Sequence, residues 1–264
     1  MKVTTKEISE TKAVLHIDDI SAYFVNSLRR VMLADLPKLA IEDVIIYDNT
    51  SPLFDEIIAH RLSLIPLPTD LTLLTFRDQC TCKGTGCPSC TVRYTLSKEG
   101  EGIVYSGDLQ PEEKSWTIKE DTIPIVELTK DQRIILEVEA VLGRGKDHAK
   151  WQSVLAPGFK YFPVVEIDQK KCTQCNKCIE LCPPHILEMK NNKLVVTDIE
   201  KCTTCKSCSD ICESDAITVK DNEQKFVFRF ETDGSLSAHD VLHQSAAILS
   251  KKYETFGSLL KKLK

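Results

Sequence analysis

Long apolar runs, positive-charge excess and catalytic signatures are all missing from this 264-residue chain. No apolar stretch approaches the ~18–20 residues needed to cross a bilayer, so no membrane association is expected. The opening MKVTTKEISETK has no apolar core of signal-peptide length, which points to a cytoplasmic protein. Lys and Arg number 34 against 39 Asp and Glu, a formal charge of −5. That balance argues against a general nucleic-acid surface, and no sequence-specific DNA contact is expected. There is no Gly-rich phosphate loop, no GxSxG, no HExxH, and no carboxylate cluster suited to Mg2+. His60 and His148 sit beside basic residues and read as structural hydrogen-bonders rather than catalytic bases. No catalytic residue is therefore expected. Global disorder is excluded as well, because 42% hydrophobic and 28% charged residues are ordinary for a globular protein. The length suits about two domains, with room for a small third.

Cysteine is what the chain has in quantity. Twelve in 264 residues fall well under the roughly 8–10% of a disulfide scaffold, which points to metal or redox chemistry. They form three groups of four. Cys172, Cys175, Cys178 and Cys182 in CTQCNKCIELCPP follow C-x2-C-x2-C-x3-C, and so do Cys202, Cys205, Cys208 and Cys212 in CTTCKSCSDICES. This is the bacterial-ferredoxin spacing for [4Fe–4S] clusters, in which the fourth cysteine serves the other cluster. The segments repeat with a 30-residue offset: Lys171-Cys172-Thr173 matches Lys201-Cys202-Thr203, and Ile186-Leu187 matches Ala216-Ile217. One cluster is assigned to Cys172, Cys175, Cys178 and Cys212, the other to Cys202, Cys205, Cys208 and Cys182. A [3Fe–4S] cluster at one site is the alternative. One departure is that Glu213 stands where the first motif has Pro183.

The third group, Cys80, Cys82, Cys87 and Cys90, packs four ligands into C-x-C-x4-C-x2-C, bent by Gly84, Gly86 and Pro88. A structural zinc held by four thiolates fits, with no position left open for a catalytic water. Two disulfides or a reduced, empty loop remain alternatives.

Outside the cysteines, the two ends look alike. Ala13 to Ile17 reads as a strand, with Ser21 an N-cap for a helix to about Ala34. Phe24, Leu28, Val31 and Met32 share one face of it. Near the C-terminus, Phe226, Phe228 and Phe230 alternate as in a half-buried strand. Asp233-Gly234 turns the chain, and Ser237 caps a long helix. There Leu242, Ala246, Leu249, Tyr253, Phe256, Leu260 and Leu263 recur at 4-3 spacing, the stripe of a helix that packs along a partner helix. A core helix of the same domain is the competing reading. Between the ends, residues 43–47, 92–96, 134–142 and 160–168 read as strands, with a short helix near 53–62. The fold class is α+β: a unit built from both ends, with everything else inserted.

The segment Phe24-Val25-Asn26-Ser27-Leu28-Arg29-Arg30 resembles the first-helix motif of the α-like subunits of RNA polymerase. Residues 48–56, running into Ala59-His60-Arg61-Leu62 and Ile65-Pro66-Leu67, are similar to the archaeal–eukaryotic branch of that family, as is 143–152. The ferredoxin-like insert narrows the resemblance to the archaeal D-type subunits, over essentially the whole chain. It implies a discontinuous dimerisation domain (1–43 plus 223–264), an inserted β-rich domain (44–165) carrying the loop at 80–90, and a two-cluster ferredoxin-like domain (166–222). It implies a non-catalytic platform of a nucleotidyltransferase complex, heterodimerising with the small subunit L and docking the large catalytic subunits. Asn26, Arg29 and Arg30 would help dock a large subunit, with Arg61, Lys146 and His148 as further candidates. Leu242, Leu249, Tyr253, Phe256 and Leu260 would face the partner. The ferredoxin motif taken alone suggests an electron-transfer subunit of an oxidoreductase instead, but leaves roughly 200 residues unexplained.

Overall fold

A computed structural model describes residues 1–263. In chain order the elements are β1 (Lys2–Ile8), β2 (Lys12–Asp18), α1 (Ala22–Ala34), β3 (Pro37–Asn49), α2 (Asp55–Ser63), β4 (Thr91–Glu99), β5 (Gly102–Tyr105), β6 (Gln110–Pro111) and β7 (Pro124–Leu128). There follow β8 (Arg133–Arg144), β9 (Val154–Ile167), α3 (Lys177–Glu180), β10 (Leu187–Lys190), β11 (Lys193–Val196), α4 (Ser207–Asp210), β12 (Ile217–Thr232) and α5 (Ala238–Lys261). The expected strands and helices are all present; most strands run beyond their sequence signal, while α1 ends at Ala34 as expected, α2 starts only at Asp55 and β9 stops at Ile167. One sheet has the order β1-β2-β12-β9 and a second β3-β8-β4-β6; β5-β7 and β10-β11 are two-stranded. None of the described helices is long and apolar enough to span a membrane.

Packing divides the chain into two compact units. One comprises Met1–Lys6, Val14–Val25 and Phe159–Phe228; the other comprises Glu7–Ala13, Asn26–Gly158 and the chain from Arg229 onward. Residues 166–222 fall wholly in the first and residues 44–158 wholly in the second.

In the second unit, β8 is the central strand. Ile134, Leu136, Val138 and Ala140 are buried, while Ile135, Glu137 and Glu139 are not, the period-two pattern of a sheet with one covered face. β3 pairs with it antiparallel from Pro37↔Arg144 to Asn49↔Ile134, with bulges between Ile41/Asp43 and Ile46/Asp48. β4 pairs on its other side from Thr91↔Val141 to Glu99↔Arg133. Ile58 and Leu62 of α2, Tyr94 and Trp116 join these strands in one core. The Tyr94 hydroxyl donates to the Trp116 carbonyl at 2.9 Å, which satisfies its one polar atom. Two glycines after β8's midpoint are sterically required. A Cβ on Gly143 would lie 2.1 Å from the Trp151 ring, and one on Gly145 would lie 2.0 Å from the Leu33 carbonyl oxygen.

In the first unit, β10 and β11 form a hairpin from Leu187↔Val196 to Lys190↔Lys193. Asn191 and Asn192 make its turn with φ of 51° and 58°, the left-handed pair that asparagine tolerates best among non-glycine residues. The core beneath it is small: Ile186, Leu187, Leu194, Ile217 and Val219, completed by Cys178, Cys182 and Cys202.

Candidate metal centres and partner face

The two ferredoxin-like motifs fold as the repeat suggests. Gln174, Asn176 and His185 take φ of 59°, 61° and 50°; thirty residues on, Thr204, Lys206 and Asp215 take 53°, 63° and 48°. Each motif then makes a one-turn helix, α3 or α4, whose N-cap residue, Asn176 or Lys206, is left-handed. These left-handed bends bring three thiols of one short loop to a common pocket. The fourth comes from the other motif. Cys172, Cys175 and Cys178 line a pocket with Cys212, walled by Met189, Leu194, Ile211 and Ile217. Cys202, Cys205 and Cys208 line a second with Cys182, walled by Val165, Pro184, Leu187 and Val219.

Soft sulfur donors in apolar walls suit an iron–sulfur cluster. Burial pushes the Cys178 thiol up, and the Cys208 thiol up to about 11. Such thiols ionise only against a compensating positive charge, which metal supplies. At Cys212, burial opposes ionisation, but the Ser214 hydroxyl and the Ala216 N–H, 3.3 Å from Sγ, lower its pKa. The departure at Glu213 also has a local reason. Its carboxylate pairs with Lys177 Nζ at 2.6 Å, linking the end of the second motif to the first.

The four-cysteine loop is a tighter arrangement. All four Sγ atoms lie within 4.8 Å of one another, with Cys80–Cys87 at 3.5 Å, Cys82–Cys90 at 3.6 Å and Cys87–Cys90 at 3.8 Å. A disulfide needs about 2.05 Å. A tetrahedron with ~2.3 Å arms has edges of about 3.8 Å, so the spacing is that of thiolates around one zinc-sized ion. Gly84 and Gly86, at φ of 87° and 89°, make the bend. Arg77 ties the loop to the sheet: its Nε donates to the Gly84 carbonyl at 3.1 Å, and its guanidinium pairs with Asp43 and Glu139. Burial opposes ionisation of Cys82. The Gly86 N–H, the Cys80 and Cys90 thiols and the Gly84 N–H outweigh it and hold this thiol down to about 6.

The basic residues named from the sequence lie on different parts of the second unit. Asn26 Oδ1 accepts from Arg29 Nε and Nη2 at 3.1 and 3.0 Å, so that pair is organised within α1, and Arg30 beside it is exposed. Arg61 Nη1 donates to the Ile125 carbonyl at 2.6 Å. His148 Nδ1 accepts from the Lys150 N–H at 3.1 Å and caps a short turn. Lys146 is exposed and lines a pocket with Asp35, Arg144 and Lys252.

α5 divides along its length. Its first half packs through Ala238, Val241, Ser245 and Leu249. Leu242 is half-buried and Ala246 exposed. Beyond Ser250 the apolar side chains point to solvent: Tyr253 is 55% exposed, Phe256 60%, Leu259 53%, Leu260 47% and Leu263 82%. Sequence reasoning missed Ser245 as a packing residue, because a serine breaks no hydrophobic pattern it was never part of.

Comparison with known proteins places these features in one family. Residues 44–164 match the RNA polymerase Rpb3/RpoA insert domain, and residues 164–213 match the 4Fe-4S dicluster domain. The DNA-directed RNA polymerase subunit Rpo3 of Methanothermobacter thermautotrophicus is 42% identical over 257 residues, covering 96% of this chain and 97% of its own. Rpo3 of Methanosphaera stadtmanae is 41% identical over 259 residues, 96% of both chains. Rpo3 of Thermoplasma volcanium is 40% identical over 276 residues, 100% of this chain and 99% of its own. The chain belongs to the archaeal Rpo3 family. It is a non-catalytic assembly subunit of DNA-directed RNA polymerase, a nucleotidyltransferase complex. The electron-carrier reading accounts for the dicluster segment alone and is not favoured by relatives of full length.

Proposed function

We propose that this Rpo3 family member pairs with the small subunit L through the second half of α5, and that the pair docks the large catalytic subunits. The observation that carries the reading is the apolar stripe Tyr253, Phe256 and Leu260, left uncovered on a helix whose first half is already packed. Such a stripe on a long helix is the surface a second helix covers. Asn26, Arg29 and Arg30 are the docking residues on this reading. The chain works as three parts, 1–43 with 223–264, 44–165, and 166–222, and acts in the cytoplasm.

The cysteines brace two of those parts. Cys172, Cys175, Cys178 and Cys212 hold one [4Fe–4S] cluster, Cys202, Cys205, Cys208 and Cys182 the other, and Cys80, Cys82, Cys87 and Cys90 one zinc. The crossed lining of the two pockets and the tetrahedral sulfur spacing support these assignments. When bound, the metals cross-link segments that the unfolded chain leaves apart, which adds folding free energy.

Co-expression with a small L-type subunit tests the pairing. The wild-type chain should co-purify as a stable 1:1 pair. Phe256→Asp should abolish pairing while leaving the chain's own melting within about 0.5 kcal/mol, as expected of an exposed site. A wild-type chain that purifies as a stable monomer and ignores its partner would sink the proposal.

A further inference from the structure

The two cluster loops repeat each other so closely that their differences stand out. At the entry to each, an aspartate makes the same turn: Asp168 Oδ1 accepts from Lys170 N–H at 3.0 Å, and Asp198 Oδ1 accepts from Glu200 N–H at 3.1 Å. The bends and one-turn helices match as described above. At the second loop, however, Lys160 of β9 reaches in, and its Nζ donates to the Glu200 carbonyl at 2.5 Å and the Cys202 carbonyl at 2.9 Å. The equivalent carbonyls of the first loop, Lys170 and Cys172, receive no lysine among the described residues. Lys160 is half-buried and has no carboxylate partner among them. The neighbouring Glu200 carboxylate is taken by Lys6 at 2.9 Å and His16 at 3.4 Å. At the first pocket the lysine of the one-turn helix, Lys177, is paired with Glu213 on the surface.

We infer that Lys160 makes the two clusters electrostatically unequal: it is a positioning residue that places one uncompensated positive charge at the loop of Cys202, Cys205 and Cys208, and so raises the reduction potential of that cluster above that of its pseudo-symmetric partner. This rests on the crossed two-cluster reading given above. Reduction adds negative charge to the cluster, so a nearby cation stabilises the reduced state, and it does so more strongly where burial limits screening. Surface lysines such as Lys171 and Lys206 lie in water and are screened within about a Debye length. The Lys160 ammonium is fixed by two carbonyls of the ligand loop itself. The sequence gives no hint of this, because forty positions separate Lys160 from Glu200.

The test is an anaerobic redox titration of the full-length loaded chain, followed by electron paramagnetic resonance. The wild type should show two midpoints. Lys160→Met should lower one of them by at least about tenfold in the reduction equilibrium, 59 mV for a one-electron couple, and leave the other in place. Lys160→Arg should retain the wild-type values. Unchanged midpoints in a fully loaded Lys160→Met chain, or equal shifts of both, overturn the inference. Selective loss of the second cluster in Lys160→Met, restored in Lys160→Arg, supports a requirement for the charge; loss in both variants overturns it. Iron and sulfide analysis separates the underlying reading. About eight iron per chain agrees with two clusters, whereas about four sinks the two-cluster reading, and the Lys160 effect must then still appear if the remaining cluster sits on Cys202, Cys205 and Cys208.

Discussion

In the loop at 80–90 the cysteines hang from a sheet whose core is complete without them. The core around β3, β8 and β4 contains no cysteine; it is filled by Leu39, Ile58, Leu62, Tyr94, Trp116, Leu136 and their neighbours. In residues 166–222 the cysteines are part of the core itself. Three of the eight residues of that core cluster are Cys178, Cys182 and Cys202, and Cys172, Cys208 and Cys212 pack against it. A segment this short buries too little apolar surface to offset its chain entropy without help. Cysteines therefore take two roles: they sit on a local bend in one region and make up part of a small core in the other.

The largest expected effect follows at once. Cys172→Ser or Cys205→Ser should remove amide-exchange protection across most of 166–222 and leave β3, β4 and β8 protected. Pairing through α5 should persist at low temperature without oxygen. Protection that survives in 166–222 would mean that the small apolar core suffices, and the contrast between the regions would disappear.

Next in size is the converse lesion. Leu136→Ala, at a fully buried position of β8, should cost about 2–5 kcal/mol by urea denaturation of the sheet. Iron content per chain should not change. A matching fall in iron would show that the cluster segment leans on that core and is not independent.

Loss of the zinc proposed for the four-cysteine loop should matter less. Cys82→Ser, or zinc chelation, should expose the amides of residues 80–90. The stability of the sheet should fall by under about 2 kcal/mol, because Arg77 still ties the loop's base to Asp43 and Glu139. Exchange spreading along β4 would show that the loop props up the strand it precedes.

Much of this contrast was legible before any coordinates. Cysteine spacing carries its own geometry, so the repeat could be read from residues close in sequence. The cap of α5 was legible for the same reason: Ser237 accepts from the Asp240 N–H at 3.0 Å, as a residue of its type does one turn ahead of a helix. What escaped notice depends on distant pairing. The bulges in β3 arise from its fit to β8, 87 to 99 residues on. The contact of Gly143 with Trp151 explains why that stretch of the family motif is glycine, which composition cannot say. The division of α5 was hidden because its buried face uses Ala238 and Ser245, small residues that suit close packing and carry little hydrophobic signal. The Lys160 latch is a tertiary contact made to carbonyls, which every residue has.

Acid provides the smallest expected effect and the sharpest separation of the regions. Asp108, near β5, accepts from Lys98 Nζ at 2.6 Å and from the Tyr105 N–H at 2.8 Å. Burial raises its pKa, but the Lys98 hydrogen bond, the Tyr105 N–H and the Lys98 charge outweigh it, and the net shift is downward. A depressed carboxyl contributes stability that is present above its unfolded pKa of about 3.9 and is lost as pH falls through the lower folded value. The side chain is about a third exposed, so the pair is worth only about 0.5–1 kcal/mol. Asp108→Asn should therefore destabilise the sheet by that amount at pH 7, with the difference from wild type vanishing once both are measured below the folded pKa. In the cluster segment acid acts through the ligands, because metal-bound thiolates must stay deprotonated, and protection across 166–222 should fail at a higher pH than that of the sheet. Urea midpoints and amide exchange followed down the same pH series check both. A gap between Asp108→Asn and wild type that widens towards low pH would reverse the sign argued for Asp108, and simultaneous melting of the two regions would tie the cluster segment to the sheet.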